Sequence, residues 1–142
     1  MKRLVCAIAI LLPIAGCVKH LPESDLRIVE TPLTARLSAD ALWQEYQTDE
    51  RAADERYWGK AIEVTGTVTA VMPEYPIRRM RLATQDGAAM LNGVHIHLLL
   101  DYAALLIPGT KVGDRLTLKC FCEGLQAAVV LRSCIPRAAY VP

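Results

Sequence analysis

The stretch Lys60–Val71, KAIEVTGTVTAV, decides the fold of this 142-residue chain. It alternates strictly. Ile62, Val64, Gly66, Val68 and Ala70 point to one side, and Glu63, Thr65, Thr67 and Thr69 to the other. A period of two in β-branched residues is the pattern of a half-buried strand. Gly66 interrupts the apolar side in mid-strand, where a lone glycine marks a bulge or a sharp bend. A long strand bent at a glycine is what a small barrel requires if one strand is to serve both of its halves.

Working outward toward the N-terminus, Ser38–Trp58 reads as one helix. Ser38 is its N-cap, Asp40 complements the dipole in the first turn, and Leu42, Tyr46, Ala53 and Tyr57 form an apolar stripe with Trp43 beside it. Gly59 stops the helix. The acids on its other face read as a solvated surface, with Arg51 and Arg56 offsetting Glu50 and Asp54. Residues 18–37 show neither period and contain Pro22 and Pro32. They read as a tether which, as a flexible coil of about 20 residues, spans roughly 25 Å.

Downstream, 77–84 reads as a second strand, VHIHLLLD (94–101) as a third, Lys111–Cys122 as a fourth with a turn at Glu123-Gly124, and 127–135 as a fifth. The expected class is therefore mainly β with one N-terminal helix, a five-stranded OB-fold-like barrel with an insert between its third and fourth strands.

The first residues form a cationic head, Met1-Lys2-Arg3, then an apolar run, Leu4–Leu12, too short to span a bilayer. The following LPIAGC resembles the lipobox of bacterial lipoproteins. That resemblance implies a signal peptide at 1–16 and Cys17 as the lipidated new N-terminus, with enough acyl chains for stable anchoring. Val18, in place of an aspartate, implies by the usual sorting rule the outer membrane, with the domain facing the periplasm. The expected layout is signal peptide 1–16, lipidated Cys and tether 17–37, helix and barrel 38–136, and a tail at 137–142. Losing Lys2 and Arg3 with the leader lowers the formal charge of +1 by two, to −1, so no global field draws nucleic acid to the domain.

Two stretches resemble the "tRNA anti-like" OB-fold family of bacterial secreted proteins and lipoproteins. In the first, Tyr46, Asp49-Glu50, Ala53, Tyr57, Gly59 and Lys60 match the family's helix and strand start, Asp49 standing where asparagine is common. In the second, Cys122, Gly124, Leu131 and Cys134 match its closing motif, with Val129 or Val130 as its valine. The resemblance covers 38–136 and implies the fold; the family has no agreed activity. It also implies a disulfide between Cys122 and Cys134, which in the chain-entropy model contributes about 3 kcal/mol. In a hairpin turning at Glu123-Gly124, however, neither Cys120 nor Cys122 lies opposite Cys134, so such a bridge needs a bulge or a curl of the barrel.

Other chemistry is sparse. His95 and His97 share one strand face, two residues apart, and are weak candidates for metal ligands; a solvated pair is the plainer reading. Arg78, Arg79 and Arg81, with Tyr75 nearby, form a basic strand where OB-folds bind oligonucleotides and oligosaccharides. No nucleophile elbow, phosphate loop or HExxH helix occurs. The expectation is a non-enzymatic, membrane-anchored binding module without a cofactor. Its partners would be the membrane through Cys17 and an envelope protein or anionic glycan, the lipid address arguing against nucleic acid. The alternatives are an oligonucleotide or oligosaccharide on the Arg78–Arg81 strand, and a metal site or enzyme around His95 and His97.

Overall fold

A computed structural model describes residues 25–73, 78–84, 93–98, 102–103 and 106–141. It contains β1 (Ala35–Ser38), α1 (Ala39–Thr48), α2 (Glu50–Tyr57), β2 (Ala61–Met72), β3 (Arg79–Leu82), β4 (Val94–Leu98), β5 (Arg115–Leu125) and β6 (Val129–Pro136). Five strands close a barrel in the order β2-β3-β4-β6-β5, with β5 returning to β2, and β1 adds a sixth strand parallel to β2. This is the OB-fold-like barrel that the strand pattern implies.

β2 serves both halves of the barrel, as its length requires. Ala61–Thr67 pairs with β5, and Val68–Met72 with β3. Gly66 has a different task from the one its position implies. The β2–β5 register runs unbroken through it, and the irregularity falls between Val68 and Ala70. A Cβ at Gly66 would lie 2.9 Å from the Cβ of Ala39. Glycine is needed there so that the start of α1 can seat against the barrel.

The predicted single helix is two. Ser38 caps α1 through its hydroxyl, which accepts from Ala41 N at 3.0 Å. Asp49 then leaves helical geometry (φ −157°, ψ 93°) and caps α2 by accepting from Ala52 N at 3.0 Å. An asparagine would cap equally well. The apolar stripe survives the break because both helices turn it inward: α1 buries Leu42, Trp43 and Tyr46, and α2 buries Ala53 and Tyr57. These close the barrel interior with Ile62, Val64, Met80, Ile96, Leu118 and Leu131. The helical acids are spent on local pairs, Arg56–Glu45 at 2.9 Å and Arg51–Glu55 at 3.3 Å.

Residues 25–37, part of the expected tether, belong to the domain. Ala35–Ser38 is β1, and Ile28 packs with Ala61 and Ile135 in a small second core outside the barrel. At the other end, Arg137–Ala139 forms a 3-10 turn that brings Tyr140 onto the same wall. Burial there of apolar side chains from both ends of the chain explains why Glu63, on the polar side of the alternation, is nonetheless buried.

The expected Cys122–Cys134 disulfide is corrected to Cys120–Cys134, and Cys122 is a buried free thiol. The hairpin turns at residues 126–128, three residues later than expected, with Leu125 opposite Val129 and Cys122 opposite Leu131. Gly124 sits inside β5 at φ 80°. Phe121 faces Arg132 while Lys119 faces Ile135, so β6 carries one extra residue between these pairs. Ser133 lies there, at φ 53°. That bulge brings Cys134 across from Cys120 with a Cα–Cα distance of 4.3 Å, the close spacing of a directly opposed antiparallel pair.

Candidate functional site

β3 and β4 build the site by register. Arg79 pairs with His97 and Arg81 with His95, while Met80 and Leu82 alternate with Ile96 and Val94 into the core. Strand alternation thus gathers two arginines and two histidines on one outward patch. Arg78, one residue before β3, falls in the opposite parity and does not share the patch by alternation. Tyr75 and Cys17 lie outside the described residues.

The patch is electrostatically one-sided. Burial holds the His95 imidazole below its ordinary pKa, and the charges of Arg81 and Arg79 push the same way. His97 is held down to about 4, first by burial and then by Arg79, His95 and Arg132. Two nitrogens are unspent: Arg81 Nε and His95 Nε2 are buried and have no hydrogen-bond partner among the described residues. A buried polar nitrogen without a partner costs about 1–3 kcal/mol, so the patch is held at a cost in stability. Among the described residues no group of three or more His, Cys, Asp or Glu is placed to hold a metal ion.

The strand beyond β4 extends this chemistry. The β6 bulge places Arg132 beside His97 and opposite Phe121 of β5. Arg132 spends Nη2 on Glu123 at 2.8 Å, whereas its Nε and Nη1 are buried without partners among the described residues. Past Phe121 lies Trp58, which is 63% exposed. The sequence reading passed over both residues. For Trp58 the signal was present: it stands one position off the apolar stripe, against Gly59. For Arg132 the signal was alternation alone: next to the core residue Leu131 it turns outward before the bulge at Ser133, but its neighbours across the sheet follow from register.

The matches to known proteins agree with this architecture. The tRNA_anti-like family profile matches residues 1–135, and the chain belongs to that family. Among solved structures, the "putative nucleic acid-binding lipoprotein" of Klebsiella pneumoniae subsp. pneumoniae MGH 78578 is similar at TM-score 0.57 and 12% identity, covering 80% of this chain and 97% of that one. OBody AM3L09 bound to hen egg-white lysozyme is similar at TM-score 0.44 and 13% identity, over 56% of this chain and 83% of its own. No curated protein matches the sequence significantly.

Proposed function

We propose that this chain is a membrane-anchored binding module, tethered through lipid on Cys17 with its domain facing the periplasm, and that the patch of Arg79, Arg81, His95 and His97 holds a single-stranded nucleic acid. The observation that carries the reading is the pairing of Arg81 with His95 across β3 and β4, each with a buried nitrogen that has no partner among the described residues, beside the charges of Arg79 and Arg81. Phosphates supply acceptors and negative charge together, and guanidinium planes and imidazole rings offer flat surfaces on which bases stack. The Klebsiella protein of similar fold carries the description "putative nucleic acid-binding lipoprotein", which names the same ligand class. The lipid address excludes the strands of the cytosol and leaves those that reach the envelope. No catalytic step is part of this reading.

An anionic glycan shares the charge but lacks the bases, and one titration separates the two. The domain is titrated with a labelled 12-nucleotide single strand and with heparin over a range of salt. Binding of the strand that weakens with salt and is lost in Arg79→Ala/Arg81→Ala supports the reading. Equal binding of heparin moves the ligand to glycans, and indifference to both arginines sinks the patch. Intact mass of the membrane-extracted protein tests the anchor: a chain starting at Cys17 with added acyl mass is expected, and an unlipidated chain starting at Met1 contradicts it.

A further inference from the structure

Trp58 borders a hollow of about 370 Å³ whose walls include Phe121, Arg132, Arg27 and Asp25. The indole is exposed, yet its backbone is fixed. Trp58 N donates to Asp54 O at 3.0 Å, Gly59 N donates to Cys122 O at 2.8 Å, and Trp58 forms a bridge with Cys122. The ring lies over Gly124, where a Cβ would come within 3.3 Å of Trp58 Cδ1. The fixed backbone leaves the indole as an exposed wall of the hollow beside Phe121.

The polar groups around the hollow are unspent in one sense only. Asp25 is committed to Arg27, whose Nε donates to its carboxylate at 2.9 Å, and the Thr31 hydroxyl donates to Arg27 O at 2.7 Å. The other polar wall is the Arg132 guanidinium, whose Nε and Nη1 have no partner among the described residues. A sugar ring asks for acceptors as well as donors. A nucleobase offers a flat face to an indole, and carbonyl and ring-nitrogen acceptors at its edge, so it suits both parts of the hollow.

A row of outward positions leads from the cationic patch to the hollow. Arg79, His97, Arg132 and Phe121 form one outward row across β3, β4, β6 and β5. Three steps between strands make about 14 Å, well inside the footprint of roughly 4–16 nucleotides that a single strand covers on an OB-fold. We propose that the hollow beside Trp58 is a base-stacking subsite, taking a nucleobase of the strand whose phosphates lie on Arg79 and Arg81, with Arg132 donating to the edge of that base. The assignment rests on the nucleic-acid reading of the patch and adds to it a second, separate site on the β5–β6 side of the barrel.

The test is a titration of the full chain with a 12-nucleotide single strand and with an abasic strand of the same length, read by anisotropy and by tryptophan fluorescence. Trp43 is only 4% exposed, so quenching on binding reports Trp58. The expected result is quenching by the base-bearing strand and a preference for it over the abasic strand of about tenfold. Trp58→Ala should bring that ratio toward one, and Trp58→Phe, which keeps a ring, should restore part of it. A normal melting temperature in both variants ties the change to the ring. If wild type binds both strands equally without quenching, and Arg79→Ala/Arg81→Ala still abolishes binding, the subsite is overturned while the patch stands. If wild type binds neither strand, the patch reading falls and takes the subsite with it. Quenching by a neutral oligosaccharide that displaces the strand overturns the assignment to a base.

Discussion

The barrel has two outer walls that handle charge in opposite ways. Where β2 meets β5, Glu63 and Lys119 are both buried and both satisfied. Tyr140 Oη donates to Glu63 Oε2 at 2.7 Å, Arg36 approaches Oε1 at 3.4 Å, and Lys119 Nζ donates to Val29 O at 3.1 Å while lying 5.2 Å from the centre of the Tyr140 ring. Where β3 meets β4, Arg79, Arg81, His95 and His97 are gathered by register, and two of their buried nitrogens have no partner among the described residues. The first wall spends charge on fastening both ends of the chain to the barrel. The second retains charge of one sign at a cost in stability, the signature of a surface shaped for a ligand.

The largest effect is expected at the seam between β5 and β6, next to both walls. Cys120→Ala/Cys134→Ala should lower stability by about 3 kcal/mol in urea denaturation. Cys122→Ala should leave the disulfide in place, seen as an unchanged gain of two hydrogens on reduction. Next comes the satisfied wall. Glu63→Ala takes the acceptor from the half-buried Tyr140 hydroxyl, while the exposed Arg36 is left to water, and should cost about 1–2 kcal/mol, with strand binding at the wild-type level. A drop in affinity equal to that of the arginine variant would mean that the walls are not separate in function.

On the unsatisfied wall the balance reverses. Arg79→Ala/Arg81→Ala should abolish single-strand binding at physiological salt, and at low salt should leave a residue at least tenfold weaker, with the slope of log affinity against log salt reduced by about 1.4, about 0.7 per lost phosphate contact. Thermal stability should hold or rise, since two like charges beside His95 and His97 are removed. A large fall in melting temperature would show that these arginines fasten the fold as Glu63 does.

The smallest effect is the pH dependence. His97 is held at about 4 by burial and by Arg79, His95 and Arg132, so the unfolded chain takes up a proton more readily than the folded one. Stability is complete above the ordinary histidine pKa of about 6.5 and is lost as pH falls from there toward 4. Bound polyanion reverses the sign, because phosphates beside the imidazoles favour their protonated form, so affinity should rise over the same window. Melting and binding curves at pH 7 and pH 5 check both directions, and His97→Asn should flatten them.

Much of the fold is legible in residues 60–71, because a strand buried on one side must alternate and a strand shared by two halves must be long. The helix break at Asp49 is not legible: the apolar stripe runs through it, and only the backbone angles at one residue change. The disulfide shows the same limit more sharply. Cys120, Cys122 and Cys134 are plain in the sequence, but their pairing depends on where the hairpin turns and on a serine in left-handed geometry, and neither follows from side-chain pattern. Of the site, the arginine strand and the His pair were each visible as separate runs. That Arg79 meets His97 and Arg81 meets His95 is a matter of β3–β4 register, which neither run contains.

Backbone amide shifts in a 15N-labelled domain titrated with a 12-nucleotide single strand test the central claim most directly. The account predicts that the largest shifts fall on residues 79–82 and 94–98 and continue across Arg132 to Trp58, with Glu63, Lys119 and Tyr140 unmoved. Shifts confined to the Glu63–Lys119 wall or to the helices would contradict it.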